Sequence, residues 1–280
     1  MSTGNATRVV RLGATDYAVD RDWGGLHRAG QTAALSEVAC LGDRVYALQR
    51  ADPPLLVFER DGRQVDGLAS GLILDGHGLS AGRRETLLVA DRDAHQVLRV
   101  DSRGDVVQRW GERHRPRWQA PFNHPAAAAE GPDDGIWVAD GYGNGRLHRF
   151  AGDGALLWSV GALGDAPGAF LTPHAVAVAA DGRAFVCDRD NDRVQVFAAD
   201  GTLLDIWIGF ARPMAIAIDR DGWVWVTDQV PSLHRIAADG QGRSRARPAA
   251  NLPHGLATAD DGTVYLVEMN PPSLVRLQPI

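Results

Sequence analysis

Short β-rich runs separated by Asp-Gly turns dominate the chain. The clearest stretch holds four such runs, at residues 175–178, 184–188, 193–197 and 202–207. Asp181-Gly182 joins the first two runs, and Asp200-Gly201 joins the last two. An Asp-Gly pair between apolar runs predicts a β-hairpin, and no window shows a sustained helical period. The stretch therefore predicts four antiparallel strands.

The four-strand unit recurs along the chain at a regular spacing. In five units, the residue that opens the first strand lies 14 positions before the acid that closes the second: 77 and 91, 126 and 140, 174 and 188, 214 and 228, 254 and 268. A sixth, degenerate unit runs from Ser36 to Gln49. Four-stranded units repeated every ~40–50 residues are typical of β-propellers. The sequence predicts an all-β, six-bladed β-propeller that forms one domain over residues 1–280.

The two ends of the chain predict how the propeller closes. The last unit ends with its third strand, at residues 273–277, and has no fourth. Residues 7–13 precede the first unit and resemble a fourth strand. We expect this N-terminal strand to complete the last blade, which removes an exposed sheet edge.

Composition excludes several classes of function. All 29 cationic side chains are arginine, against 35 acidic ones, so a P-loop lysine and a Schiff-base lysine are absent. The net charge of −6 disfavours nucleic acid and anionic membranes as partners. Two cysteines are too few for a disulfide framework, and we see no signal peptide or membrane span. These features predict a cytoplasmic protein, and a closed propeller predicts a monomer.

The residues that open the first strands are expected to point at the propeller axis. In blade order they are Ser36, His77, Ala126, His174, Met214 and His254. Histidine thus occupies every second blade, at about 120° intervals in a six-bladed ring. Three converging neutral imidazoles predict a site for Zn²⁺ or another divalent transition metal, with an open position for substrate. The alternative is that they are structural residues hydrogen-bonded inside the channel.

A second set of residues follows the second strands and lies on the same face. In blade order they are Arg50, Arg92, Gly141, Arg189, Gln229 and Met269. The blade 3 loop continues through Tyr142, with a glycine on either side. Arginine suits the binding of a carboxylate. For Arg92 alone, a structural bridge between blades is favoured.

These motifs resemble the NHL-repeat propellers, and in particular the peptidyl-α-hydroxyglycine α-amidating lyases. The resemblance spans essentially the whole chain. It implies that His77, His174 and His254, in motifs such as Pro173-His174, bind zinc. It also implies that Tyr142, in Asp140-Gly-Tyr-Gly-Asn-Gly-Arg146, is the catalytic tyrosine. The substrate-site arginines of the family correspond to Arg50 and Arg189.

The resemblance implies cleavage of a carbinolamide to an amide and an aldehyde such as glyoxylate. The metal would act on the substrate hydroxyl, Tyr142 would be the general base, and Arg50 and Arg189 would hold the substrate carboxylate. The expected substrate is a small molecule or short amide that bears this carboxylate. Gly255 stands where the family has an aspartate that helps to bind a structural calcium ion, which counts against calcium here.

Two other functions are compatible with the same residues. One is a non-enzymatic NHL scaffold that binds a partner on one face and holds no stoichiometric metal. The other is a metal-dependent lactonase or other hydrolase on a similar propeller, whose site usually favours oxygen ligands for calcium. The identity of the bound metal distinguishes the three.

Overall fold

The computed structural model describes residues 8–26 and 33–280, and its strands are arranged as a six-bladed propeller. Two strands precede the first blade: β1 (Arg8–Leu12) and β2 (Thr15–Trp23). Blades 1 to 3 comprise β3 (Leu35–Leu41), β4 (Arg44–Gln49), β5 (Leu55–Glu59), β6 (Gln64–Leu68), β7 (Gly76–Ala81), β8 (Thr86–Asp91), β9 (Gln96–Asp101), β10 (Val106–Gly111), β11 (Ala127–Glu130), β12 (Ile136–Asp140), β13 (Arg146–Phe150) and β14 (Leu156–Val160). Blades 4 to 6 comprise β15 (Pro173–Val178), β16 (Ala184–Asp188), β17 (Arg193–Phe197), β18 (Leu203–Trp207), β19 (Ile216–Ile218), β20 (Val224–Asp228), β21 (Ser232–Ile236), β22 (Arg243–Ala246), β23 (Pro253–Thr258), β24 (Val264–Glu268) and β25 (Ser273–Pro279).

Each blade is an antiparallel meander whose first strand is innermost. The six first strands, β3, β7, β11, β15, β19 and β23, contact one another in a closed ring around the axis. The second strands are buried along most of their length because both of their faces pack against neighbouring blades; β8, β12, β16, β20 and β24 are buried throughout. The described residues form six apolar clusters, one at each interface between blades. The predicted all-β, six-bladed fold is confirmed.

The constant spacing of 14 residues has a structural cause. In blades 2 to 6, the acid that ends the second strand is buried and accepts hydrogen bonds from backbone N–H groups just before the first strand of its own blade. Asp91, for example, accepts the N–H of Leu74 at 3.1 Å and of Asp75 at 2.9 Å. Asp188 accepts the N–H of Leu171 at 3.0 Å. These bonds satisfy loop donors that would otherwise be buried without a partner, and they fix the start of the first strand.

The N-terminal segment closes the last blade, as predicted, but through a different strand. In blade 6, β25 pairs with β2, and β1 pairs with β2 on the outside as a fifth strand. Residues 15–23 therefore fill the fourth position that we assigned to residues 7–13; Thr7 lies outside the described residues. The reason is packing, because Trp23 contacts the ring of Tyr265 at 4.8 Å and Tyr17 contacts Trp225 at 6.0 Å.

Two truncations test which strand closes the propeller. A chain that begins at Ala14 lacks β1 and loses the buried Leu12, so its free energy of unfolding should fall by about 2–5 kcal/mol. A chain that begins at Gly24 also lacks β2, exposes the edge of β25 and should show no cooperative unfolding transition. Thermal denaturation followed by circular dichroism distinguishes them. Equal melting temperatures for the two truncated chains would contradict the assignment of β2 as the closing strand.

Candidate metal centre and active site

The three histidines meet at one point on the propeller axis. They lie at the starts of β7, β15 and β23, and their ring centroids are 4.8–5.1 Å apart. One nitrogen from each ring lies within 4.8 Å of the other two. His77 and His174 are each 2% exposed and His254 is 8% exposed. The sequence placed these residues in alternate blades, and the structure brings them together.

Each imidazole is held by a hydrogen bond to the next blade. The Nδ1 atoms lie 2.8 Å from the carbonyl oxygen of Ala126 for His77, 2.6 Å from that of Met214 for His174, and 2.7 Å from that of Ser36 for His254. A carbonyl can only accept, so Nδ1 carries the proton in each ring. Each Nε2 is therefore left with a free lone pair. Ser36, Ala126 and Met214 open the first strands of the three blades that lack histidine.

The electrostatics of the site keep the three imidazoles neutral. Burial lowers the pKa of His77 and His174 well below the ordinary value for histidine, and the neighbouring histidines lower both further. Burial also lowers the pKa of His254, to about 4, and the guanidinium groups of Arg50, Arg189 and Arg92 contribute to this shift. Neutral imidazole is the form that binds a metal ion.

The donor set fits a divalent transition metal. Three buried, neutral nitrogens with fixed tautomers match the three-histidine set that binds zinc with an open coordination position. Metal-binding histidines are normally oriented by hydrogen bonds such as those from Nδ1 to the backbone carbonyls here. His77, His174 and His254 would hold the ion, and the ion would supply a Lewis acid beside Tyr142.

Tyr142 occupies the open side of the three histidines. Its hydroxyl oxygen lies 2.9 Å from Nε2 of His77 and 3.0 Å from Nε2 of His174. Nη1 of Arg189 donates to the same oxygen at 3.2 Å. Tyr142 is 38% exposed as a residue, so this side of the site faces the surface.

The two glycines beside Tyr142 are required by close packing. A Cβ atom at Gly141 would lie 2.1 Å from the carbonyl oxygen of Pro173, and one at Gly143 would lie 2.4 Å from Cγ of Asn123. The backbone N–H of Tyr142 donates to the carbonyl of His124 at 3.2 Å. The loop is thus fixed between blades 3 and 4, and the tyrosine is positioned by backbone contacts on both sides.

The predicted arginines border the same site. Arg189 opens a 3₁₀ turn (Arg189–Asn191) after β16, and its Nη2 lies 3.1 Å from Asp190. Arg50 follows β4, and its Nε lies 3.5 Å from Asp75. The Arg50 guanidinium also contributes to lowering the pKa of His77 and His254.

Arg92 lies closer to the site than the sequence indicated. We favoured a structural bridge between blades for this residue. Its guanidinium carbon lies 5.3 Å from the centre of the Tyr142 ring, within the range of a cation–π contact, so Arg92 links blade 2 to blade 3 and also borders the site. Sequence reasoning also missed Asp75, which pairs with Arg92 at 2.7 Å. The position of Asp75, two residues before His77, was the available signal.

The other histidines have structural contacts. His148 bonds to Asp140 at 3.2 Å and His234 bonds to Asp228 at 2.9 Å, so both anchor the acids that end second strands. The ring of His95 packs against that of His124 at 4.3 Å, and His114 is exposed. His27 lies outside the described residues.

The space beside Gly255 is filled by a carboxylate from blade 1. A Cβ atom at Gly255 would lie 2.3 Å from Oε1 of Glu37, and this oxygen accepts the N–H of Leu256 at 2.7 Å. Burial raises the pKa of Glu37 well above its ordinary value. The aspartate that the resemblance leads one to expect at position 255 would not fit here unless Glu37 moved.

Comparison with known proteins agrees with the fold and with the motifs. The NHL repeat model matches residues 170–197. A probable peptidyl-alpha-hydroxyglycine alpha-amidating lyase of Caenorhabditis elegans is 26% identical over 244 residues, which is 80% of this chain and 69% of that protein. NHL repeat-containing protein 3 of Mus musculus is 32% identical over 217 residues, which is 71% of this chain and 62% of that protein. The chain thus contains an NHL repeat in a β-propeller fold, and its predicted resemblance to NHL-repeat proteins and to the amidating lyases is confirmed.

Solved structures with the same fold include enzymes of different kinds. A gluconolactonase from Xanthomonas campestris superimposes with a TM-score of 0.75 at 16% identity, over 98% of this chain and 96% of that one. A streptogramin B lyase superimposes with a TM-score of 0.68 at 14% identity, over 94% of this chain and 98% of that one. At these identities the likeness shows the fold alone. In the part of the chain that the structure describes, no helix has the length and apolar character needed to cross a bilayer.

Metal analysis tests the three-histidine site. We expect the purified protein to bind one equivalent of Zn²⁺ or a similar ion. His174→Ala removes a direct ligand. The affinity for the metal ion should therefore fall by more than the 10–100-fold that is typical when a residue that only orients a ligand is replaced. Elemental analysis and calorimetric titration measure the two effects. The matched control, His114→Asn, alters an exposed histidine and should keep the full equivalent. Equal metal content in His174→Ala and the parent protein would contradict the site.

Proposed function

We propose that the protein is a metal-dependent carbon–nitrogen lyase that cleaves an α-hydroxyglycine-type carbinolamide to an amide and glyoxylate, or a similar aldehyde. The observation that carries this proposal is the position of the Tyr142 hydroxyl. It lies within 3.0 Å of Nε2 of two site histidines and accepts a hydrogen bond from Arg189. The similarity to amidating lyases over 80% of the chain supports the same activity.

The bonds that change are few. A bound divalent ion supplies a Lewis acid that makes the substrate hydroxyl more acidic. Tyr142, as the general base, takes the hydroxyl proton. The carbon–oxygen double bond of the aldehyde forms as the carbon–nitrogen bond breaks, and Tyr142 returns the proton to the nitrogen to give the amide. No oxidant or reductant is needed.

Two arginines are proposed to bind the substrate carboxylate. Arg189 is half-buried and already touches the Tyr142 hydroxyl, so a carboxylate on its guanidinium lies next to the base. Arg50 borders the histidines from blade 1. Fixing the carboxylate orients the scissile bond and lowers the entropic cost of reaching the transition state. Such contacts predict that a carbinolamide without this carboxylate reacts poorly.

The donor set favours this proposal over the two other functions. A calcium-dependent lactonase site is built from carboxylate and amide oxygens, whereas this site converges three imidazole nitrogens. A non-enzymatic scaffold has no use for a tyrosine hydroxyl placed between imidazoles and an arginine. The predicted small-molecule substrate enters from the face that exposes Tyr142.

Substitution of Tyr142 by Phe tests the base. This variant keeps the ring and its packing but removes the hydroxyl, so kcat for cleavage of N-acetyl-α-hydroxyglycine should fall by about 10²–10⁴-fold. Glyoxylate release is measured with a coupled assay. Tyr17→Phe, in the buried core of blade 6, is the matched control and should retain the parent rate. Full turnover by Tyr142→Phe would exclude the proposed role.

A further inference from the structure

Two pairs of arginines border the site, and each pair shares one carboxylate. In the first pair, Nε of Arg50 lies 3.5 Å from Oδ1 of Asp75, and Nη2 of Arg92 lies 2.7 Å from Oδ2 of the same residue. The side chains of Arg50 and Arg92 are 26% and 22% exposed, and that of Asp75 is 15% exposed. The three groups therefore form a partly desolvated unit with one more cation than anion.

The second pair repeats this arrangement on other blades. Nη2 of Arg189 lies 3.1 Å from Oδ2 of Asp190, and Nη2 of Arg212 lies 2.6 Å from Oδ1 of Asp190. The hydroxyl of Thr172 donates to Oδ2 of Asp190 at 2.6 Å. Arg189 also donates to the Tyr142 hydroxyl at 3.2 Å, so this pair adjoins the site through Arg189.

The two pairs lie on opposite sides of Tyr142. The tyrosine belongs to blade 3, Arg92 to blade 2 and Arg189 to blade 4. The guanidinium carbons of Arg92 and Arg189 lie 5.3 Å and 5.5 Å from the centre of the tyrosine ring. A substrate bound at the Tyr142 hydroxyl is thus within reach of a cationic unit on either side.

Each pair has one more cation than the aspartate that it shares. Four arginines face two shared aspartates, a difference of 4 − 2 = 2 charges. Asp93 also contacts Arg92, at 2.8 Å, and is 46% exposed, and Arg212 is 51% exposed, so water screens one charge of each sign. Asp192 is exposed and bonds to the backbone N–H of Arg212. The neutral histidines do not reduce the surplus.

We propose that the substrate carries two anionic groups, of which Arg189 and Arg212 bind the α-carboxylate and Arg50 and Arg92 bind a second carboxylate on the acyl side. This inference rests on the proposed function and refines the role given there to Arg50. The α-carboxylate is assigned to the second pair because Arg189 donates to the tyrosine hydroxyl. The preferred substrate is thus a carbinolamide of a dicarboxylic acid.

Matched pairs of substrates test this assignment. N-malonyl-, N-succinyl- and N-glutaryl-α-hydroxyglycine are each compared with the analogue whose terminal carboxylate is replaced by an amide of the same size. We expect kcat/KM to favour the carboxylate of the best-fitting length by about tenfold or more, as for a hydrogen bond to a charged group. The preference should shrink at high ionic strength because salt screens partly exposed charges.

Variants locate the preference in the first pair. Arg92→Gln should reduce the ratio of kcat/KM for the carboxylate substrate to kcat/KM for its amide analogue to about 3 or below. Arg92→Lys keeps the charge and should retain part of the preference for the carboxylate. Arg109→Gln makes the same change on an exposed outer strand and should leave the ratio unchanged. If Arg92→Gln abolishes turnover, Arg50→Gln supplies the same comparison.

The outcomes separate this inference from the proposed function. Turnover of the amide analogues at the same kcat/KM as the carboxylates, or an unchanged ratio in Arg92→Gln, overturns the second-anion assignment and leaves the lyase intact. Failure of the metal-loaded protein to cleave any of these carbinolamides overturns both. A carboxylate preference that is lost in Arg92→Gln and kept in Arg109→Gln supports the assignment.

Discussion

The hydrogen bonds from the histidine Nδ1 atoms to the carbonyls of the neighbouring blades are the interaction on which the site depends. They fix the tautomer and the direction of three buried rings, and so set three Nε2 lone pairs toward one axis. The acceptors belong to Ala126, Met214 and Ser36, which hold the matching positions in the three blades without a site histidine. Because the acceptors are backbone atoms of β-strands, the geometry is built into the propeller itself.

A second layer of contacts places the reacting groups around these rings. The buried acids at the ends of second strands hold the loops that lead into the first strands. Arg92, Tyr142 and Arg189 follow these acids within two residues, and Arg50 follows Gln49 at the equivalent position of blade 1. Tight backbone packing at Gly141 and Gly143 then fixes the tyrosine between two blades. One repeated architectural element therefore positions both the metal ligands and the polar groups that face them.

Most of what could be predicted from the sequence came from the spacing of the repeated units. A constant interval of 14 residues in five blades reflects a hydrogen bond that recurs within each of them, so it identified these blades and placed His77, His174 and His254 at equivalent positions. Packing at the ends of the chain left no such signal: Thr15–Trp23 contains four acidic or basic residues, and its role as the closing strand depends on Trp23 meeting Tyr265. The position of Arg92 over Tyr142 was equally hidden, because it depends on how adjacent blades pack and on the shared Asp75.

The central claim is that three imidazole Nε2 atoms bind one divalent ion at the axis. X-ray absorption spectroscopy of the zinc-loaded protein measures the number, type and distance of the ligands directly. The account predicts three histidine nitrogens at about 2.0–2.1 Å from the ion, with one or two oxygen ligands that complete the coordination. A first shell made mainly of carboxylate oxygens, or one with fewer than two imidazoles, would contradict it.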